Sequence, residues 1–328
     1  MTDRDRELAV ALRAVRTAAR ACRAVSERLI DDHTLEKKDQ SPVTVADFAS
    51  QALVCAVLQE AFPHDAVVAE EDSAELRTDE QSRLRAAVAE RVGAELGHAV
   101  DEARVLGWID RGGAKAGSGR YWTLDPIDGT KGFLRGEQYA VALGLIEDGE
   151  VVVGALACPN LPLAGEGSPL GALFSALRGA PARIHPLWTD GEGTPVRVAA
   201  ARTAAEARFC ESVESSHSNQ DESAEIAKAL GIRTPPLRID SQCKYAAVAR
   251  GDASIYLRMP TRKDYREKIW DHAAGKLVVE AAGGRVTDID GTPLDFTCGR
   301  ALENNRGVVA TSGAIHDEVI DAIRRVRA

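Results

Sequence analysis

The sequence has no excess of basic residues: 41 Lys and Arg stand against 50 Asp and Glu, a formal net charge of -9. A chain that neutralises a nucleic-acid backbone or clings to an anionic bilayer needs a basic surface. Neither a nucleic-acid polymer nor a membrane is therefore expected as a partner, and an anionic substrate must be met by a local field that overrides the global one. Also missing is any apolar run approaching the ~20 residues that span a bilayer, since the longest are broken by charge or glycine. No signal-peptide apolar segment appears, and Asp3, Asp5 and Glu7 among the early arginines argue against an organelle leader. The six cysteines (Cys22, Cys55, Cys158, Cys210, Cys243 and Cys298) form no CxxC pair and no zinc-ligand spacing. Reduced, buried thiols in a cytoplasmic protein are the expectation. There is no internal repeat and no low-complexity tract.

What is present is the composition of a globular chain, 45% hydrophobic and 28% charged over 328 residues, enough for one large α/β domain or two ordinary ones. Leu8, Leu12, Val15, Ala19, Cys22, Val25 and Leu29 recur at helical spacing, and Asp47 to Phe62 reads as a second amphipathic helix. The short apolar run Ala66 to Ala69 delivers Glu70 and Glu71 to a strand end. Residues 79–100 have helical spacing, 112–119 form a flexible Gly-rich loop, and Tyr121 to Leu124 reads as a strand entering an acidic turn. Tyr139 to Ile146 and Val151 to Ala157, joined through Glu-Asp-Gly, predict a hairpin. Composition shifts near residue 200, which divides the chain into an α+β unit (1–200) and an α/β unit (201–328). In the second unit, strands at 207–213, 237–239 and 253–257 alternate with helices at 221–230, 242–250 and 270–282, and a helix at 312–327 follows.

Three acidic strings carry chemistry. In Asp125-Pro-Ile-Asp128-Gly-Thr130 the two carboxylates and the Ile127 carbonyl can converge on one hard cation, which favours oxygen ligands. Asp-Gly alone is a turn dipeptide, but a second Asp, a Pro and a hydroxyl two residues later serve no turn requirement. Glu70-Glu71 is the second string, with solvation at a strand end as its plain explanation. The third is Trp270-Asp271-His272-Ala-Ala-Gly275, where Asp271 could simply cap the following helix. Asp47, near the start of helix two, has the same plain explanation.

Ser41-Pro-Val-Thr-Val-Ala-Asp47, Val68-Ala-Glu70-Glu71, Asp125 to Thr130 and Trp270 to Gly275 occur in the order seen in the inositol monophosphatase superfamily of metal-dependent, lithium-sensitive phosphatases, which this chain resembles. Lys131 to Gln138, Ser215-Ser-His217-Ser218, Ile239-Asp-Ser241-Gln-Cys-Lys244-Tyr245 and Tyr256-Leu-Arg258 resemble its 3'(2'),5'-bisphosphate nucleotidase branch. The resemblance implies a five-layer αβαβα sandwich with the metals at the junction of the two halves. By the same resemblance Glu70, Asp125, the Ile127 carbonyl, Asp128 and Asp271 are ligands for two or three Mg²⁺. Asp47 and Thr130 lie beside the attacking water, with Glu70 sharing in catalysis. His217, Ser241, Lys244 and Arg258 match nucleotide-contacting positions, and Thr130 and Asp271 also face substrate.

The implied activity is hydrolysis of the 3'-phosphate of 3'-phosphoadenosine 5'-phosphate (PAP) to AMP and phosphate by metal-activated water, with 3'-phosphoadenylyl sulfate as a further substrate and a place in sulfur metabolism. An inositol mono- or polyphosphate phosphatase shares the metal chemistry, and a catalytically dead nucleotide or metal sensor shares the fold. The long connection between Glu70 and Asp125 disfavours a simple inositol monophosphatase, and the presence of every expected ligand disfavours the sensor.

Overall fold

Two sheets and three helical layers stack in the order α, β, α, β, α in the computed structural model, which describes residues 2–31, 41–115, 119–165, 167–213, 220–260, 262 and 264–328. The first half runs α1 (Asp3–Asp31), α2 (Ser41–Ala61), β1 (Ala66–Ala69), α3 (Ser82–Leu96), α4 (Glu102–Asp110), β2 (Arg120–Asp128), α5 (Thr130–Leu134), β3 (Ala140–Glu147), β4 (Glu150–Pro162), β5 (Leu170–Leu177), β6 (Arg183–Pro186) and β7 (Thr194–Pro195). The second half runs β8 (Phe209–Glu211), α6 (Gln220–Ala229), β9 (Leu237–Arg238), α7 (Cys243–Arg250), β10 (Ile255–Arg258), α8 (Ala273–Ala281), β11 (Arg285–Thr287), β12 (Val308–Thr311) and α9 (His316–Arg327).

Strands β1 to β7 form one sheet in chain order, parallel at β1/β2 and antiparallel beyond; the other sheet has the order β11-β12-β10-β8-β9. Helices α1 and α2 cover the outer face of the large sheet, and α7 and α8 fill the space between the sheets. Helix α9 covers the outer face of the small sheet, with α6 beside it. Each interface has its own apolar core, which is why every strand of the large sheet's centre reads as continuously hydrophobic rather than alternating.

Several sequence-based expectations meet a correction here. Asp125 and Asp128 do not flank a turn, because β2 continues through both. Asp125 pairs with Ala142 and Asp128 with Ala140, so three steps along β2 match two along β3 and one extra residue bulges out. Asp47 is inside α2 rather than at its start, since that helix begins at Ser41. Asp271 belongs to a short 3-10 turn, Ile269–Asp271, and α8 begins after His272 with no side-chain cap. Neither aspartate is an N-cap. Helix α4 went unpredicted, although Asp101 accepts a hydrogen bond from the Arg104 N–H at 2.8 Å in the ordinary manner of an N-cap. The hairpin of β3 and β4 closes as expected, with Asp148 (φ 49°) and Gly149 (φ 81°) both left-handed, as a type I′ turn requires.

The residues after Asp271 are small because α8 must lie close to both its neighbours. A Cβ on Gly144 of β3 would stand 3.2 Å from Ala273 Cβ, and one on Gly154 of β4 would stand 3.1 Å from the Ala274 carbonyl oxygen. On the other side, a Cβ on Gly275 would meet Tyr245 Cδ2 at 2.3 Å. Ala-Ala-Gly therefore fixes how near the Asp271 turn comes to β2 and β3. Gly275→Ala should force Tyr245 aside and destabilise the fold by about 1–3 kcal/mol, the usual cost of overpacking. Urea unfolding should show a lower midpoint at unchanged slope.

Candidate active site

In a regular strand, residues i and i+3 point to opposite faces. The β2 bulge cancels that inversion by adding one residue. Trp122, Leu124 and Ile127 pack in the core under α1 and α2, while Tyr121 faces the layer between the sheets. Asp125 and Asp128 consequently line one cavity together, of about 330 Å³, between the two sheets. Pro126 has no N–H to lose from the ladder, and its carbonyl accepts a hydrogen bond from Ser50 Oγ at 2.7 Å.

The cavity gathers Glu70, Asp125, Ile127, Asp128, Thr130, Ser241, Lys244, Arg258 and Asp271, nine of the residues singled out from the sequence. Asp47 does not line the cavity, and no hydrogen bond joins it to Thr130 among the described residues. His217 lies outside the described residues. Burial, then the charges of Glu70, Asp128, Asp271 and Asp47, pushes the Asp125 carboxyl well above the usual range. Burial and Asp128 do the same to Asp271, and burial with Glu71 and Glu70 does so to Asp47. Glu70 is pushed up to about 7, first by desolvation and then by Glu71 and Asp128.

Neutral clamps hold this repelling set. Gln51 Nε2 donates to the Glu71 carbonyl (2.7 Å), and Gln51 Oε1 accepts from the Glu71 N–H (3.1 Å). The Gln242 N–H donates to Asp128 Oδ2 at 2.6 Å, its side-chain Nε2 donates to the Trp270 carbonyl at 3.0 Å, and its Oε1 accepts from the Gly275 N–H at 3.3 Å. Gln242 thus ties β2 to both ends of the Trp270-to-Gly275 string. The segment Ile239 to Tyr245 carries the resemblance, but nothing along the sequence marks Gln242 itself. The turn before it is tight: Ser241 has φ 63°, and a Cβ on Gly129 would stand 2.8 Å from Ser241 Cβ.

The cations near the cavity are of two kinds. Arg258 Nε pairs with Glu267 at 3.2 Å, and Glu267 also meets His272 Nε2 at 3.3 Å, whose Nδ1 lies 2.7 Å from the Tyr245 hydroxyl. Burial pushes Glu267 up, but His272 and Arg258 outweigh it and hold its carboxyl below the usual range. Lys244 is 4% exposed and has no carboxylate within ion-pairing distance among the described residues; its Nζ lies 5.3 Å from the Tyr256 ring centre. Burial lowers its pKa, against the raising influence of Asp128.

These donors suit a hard cation. The set is all oxygen, its members repel one another, and Asp125 Oδ1 is buried with no hydrogen-bond partner among the described residues. Glu267, Asp271 and His272 also bring ligand atoms within 4.8 Å of one another, although Arg258 and Tyr245 already engage two of the three.

The sequence model of the inositol monophosphatase family matches residues 3–328. The chain belongs to that family. A 3'(2'),5'-bisphosphate nucleotidase of Schizosaccharomyces pombe is 46% identical over 340 residues, covering 99% of this chain and 96% of its own length. One from Emericella nidulans is 46% identical, covering 89% of this chain and 90% of its own. Among solved structures, an inositol monophosphatase from Anabaena aligns with a TM-score of 0.63 at 21% identity, covering 99% of this chain and 97% of that one, a likeness of fold. The family is metal-dependent, as the acidic cavity requires. Among the described residues, no helix is long and apolar enough to cross a membrane.

Folding raises the pKa of Asp47, Glu70, Asp125 and Asp271, so the metal-free protein should lose stability as pH rises, through Glu70 between about 4.5 and about 7. Asp125→Asn removes one repelling charge. In EDTA at neutral pH its Tm should equal or exceed that of the unsubstituted protein. Saturating Mg²⁺ should raise the Tm of the unsubstituted protein by roughly 5 °C and that of Asp125→Asn by far less.

Proposed function

We propose that this chain is a Mg²⁺-dependent 3'(2'),5'-bisphosphate nucleotidase that hydrolyses the 3'-phosphate of PAP to AMP and phosphate, with 3'-phosphoadenylyl sulfate as a further substrate. The observation that carries the reading is the division of charge in one cavity. Carboxylates crowd one wall, and Lys244, buried and with no ion-pair partner among the described residues, stands on another. A monophosphate needs only the first wall. A substrate with a second phosphate, away from the bond to be cleaved, uses both.

Glu70, Asp125, the Ile127 carbonyl, Asp128 and Asp271 would hold two or three Mg²⁺. When bound, the metal supplies the positive charge that admits a phosphate dianion among carboxylates and makes water acidic enough to attack at neutral pH. In this reading the Thr130 oxygen accepts a hydrogen bond from that water while its own proton is donated to Asp47, so the two together orient the water. The Lys244 ammonium takes the 5'-phosphate. Ser241 contributes a hydroxyl to the same cavity, its oxygen accepting a hydrogen bond from the Cys243 N–H at 3.2 Å. Arg258 faces the nucleotide with its charge balanced by Glu267, so it orients substrate more than it attracts it. His217 completes the nucleotide contacts in this reading. The protein works in the cytoplasm.

The test is phosphate release from PAP, 3'-phosphoadenylyl sulfate, inositol 1,4-bisphosphate and inositol 1-phosphate, side by side with Mg²⁺. PAP should have the highest kcat/KM, and preference for inositol 1-phosphate would overturn the nucleotidase reading. A charge-assisted contact is worth roughly 1.5–3 kcal/mol, so Lys244→Ala should raise the KM for PAP on the order of tenfold to a hundredfold. The KM for 3'-AMP, which lacks the 5'-phosphate, should barely move. Thr130→Ala should instead lower kcat and leave the KM for PAP within a few-fold.

A further inference from the structure

Glu70 follows the last residue of β1, where a strand would ordinarily fray. The backbone on both sides of it is nonetheless held. Gln51 takes the N–H and carbonyl of Glu71. On the other side, Arg300 Nη2 donates to the Ala69 carbonyl at 2.5 Å, a contact between residues 231 positions apart. Arg300 arrives from the long loop between β11 and β12, and that loop is itself fastened beside the Asp271 turn. Lys268 and Ala301 form an antiparallel bridge, the Ile269 N–H donates to the Arg300 carbonyl at 3.2 Å, and the Leu302 N–H donates to the Glu267 carbonyl at 2.9 Å. The guanidinium lies 4.7 Å from the Trp270 ring centre, in cation–π contact. One side chain therefore spans from the residue before Asp271 to the residue before Glu70.

We propose that Arg300 is a positioning residue that sets Glu70 against Asp271 for metal binding, although it does not line the cavity. The inference rests on the reading of Glu70 and Asp271 as metal ligands. A competing account is purely electrostatic, since the Arg300 charge lies beside Asp72 and Glu70. The two accounts predict opposite signs. A lone cation near the ligands repels Mg²⁺, so by charge alone its removal tightens metal binding. Removing a clamp weakens it, typically by 10- to 100-fold for groups that orient ligands.

The experiment is calorimetric titration of the EDTA-stripped full-length protein with Mg²⁺, comparing the unsubstituted chain with Asp125→Asn, Arg300→Met and Arg300→Gln. Arg300→Met keeps an apolar stem on Trp270 and loses both charge and donor, and it should bind Mg²⁺ about tenfold more weakly. Arg300→Gln is equally neutral but keeps an amide donor, and it should recover part of that loss, to about threefold below the unsubstituted chain. With Mg²⁺ saturating, the KM for PAP of Arg300→Met should stay within about twofold and kcat should return toward that of the unsubstituted chain. Equal or tighter Mg²⁺ binding by Arg300→Met, or no difference between the two neutral variants, overturns the inference. Should Arg300→Met not fold, Arg300→Gln decides alone: weaker binding supports the clamp, and equal or tighter binding overturns it. If the unsubstituted chain binds no Mg²⁺, or Asp125→Asn binds it equally well, the metal-site reading itself fails and the inference falls with it.

Discussion

Like charges drawn into a shared cavity repel one another, and much of this structure follows from holding them there. Glu70, Asp125, Asp128 and Asp271 reach one space, with Asp47 and Glu71 close enough to act on them, and burial makes the charges of Asp125, Asp271 and Asp47 harder to keep. Such a cluster cannot be held by its own contacts. It is held mostly through the backbone instead: Gln51 on Glu71, Ser50 on Pro126, Gln242 on Trp270 and Arg300 on Ala69, with the Gln242 N–H on the Asp128 carboxylate besides. The nearby arginines are committed as well, Arg258 to Glu267 and Arg135 to Asp240. The ammonium of Lys244 is left to the cavity.

The same constraint explains why two sheets are needed. Glu70 follows β1 and Asp125 and Asp128 lie on β2 of the large sheet, whereas Asp271 comes from the turn that leads into α8. That helix packs on β3, β4 and β5 on one side and on the small sheet on the other. Gly144, Gly154 and Gly275 set how closely it can approach. Packing against glycine thus becomes a statement about the distance between two parts of an acidic site. A methyl group added to α8 acts on the chemistry without touching it.

What was legible in the sequence was whatever is local. Asp125 and Asp128 stand in one six-residue string whose Pro and second Asp have no use in a turn, and each other acidic residue stands in a string of its own. The bulge was not legible, because it exists only in the pairing of Asp125 and Asp128 with Ala142 and Ala140. The N-cap explanations for Asp47 and Asp271 failed for the same reason: tertiary packing decides where a helix begins. Helix α4 did leave a signal, with Asp101 before Val105, Leu106, Trp108 and Ile109 on one buried face. Gln242 and Arg300 left none, since a single side chain that reaches a distant carbonyl creates no pattern along the chain.

The chemical character of the clamps also has a reason. An ion pair to each ligand would fix its position but would also neutralise it, leaving less charge to hold a cation. Gln51, Ser50 and Gln242 are neutral, and they bind mostly main-chain groups, so they restrict the ligands' directions while leaving their charge available. The exception, the Gln242 N–H on Asp128 Oδ2, still leaves that carboxylate its second oxygen. Where a full positive charge is used, in Arg300, it is aimed at a carbonyl and at the Trp270 ring rather than at a ligand carboxylate. Position and charge are thus controlled by different residues. A site built this way keeps its charge for the cation and the phosphate that follows.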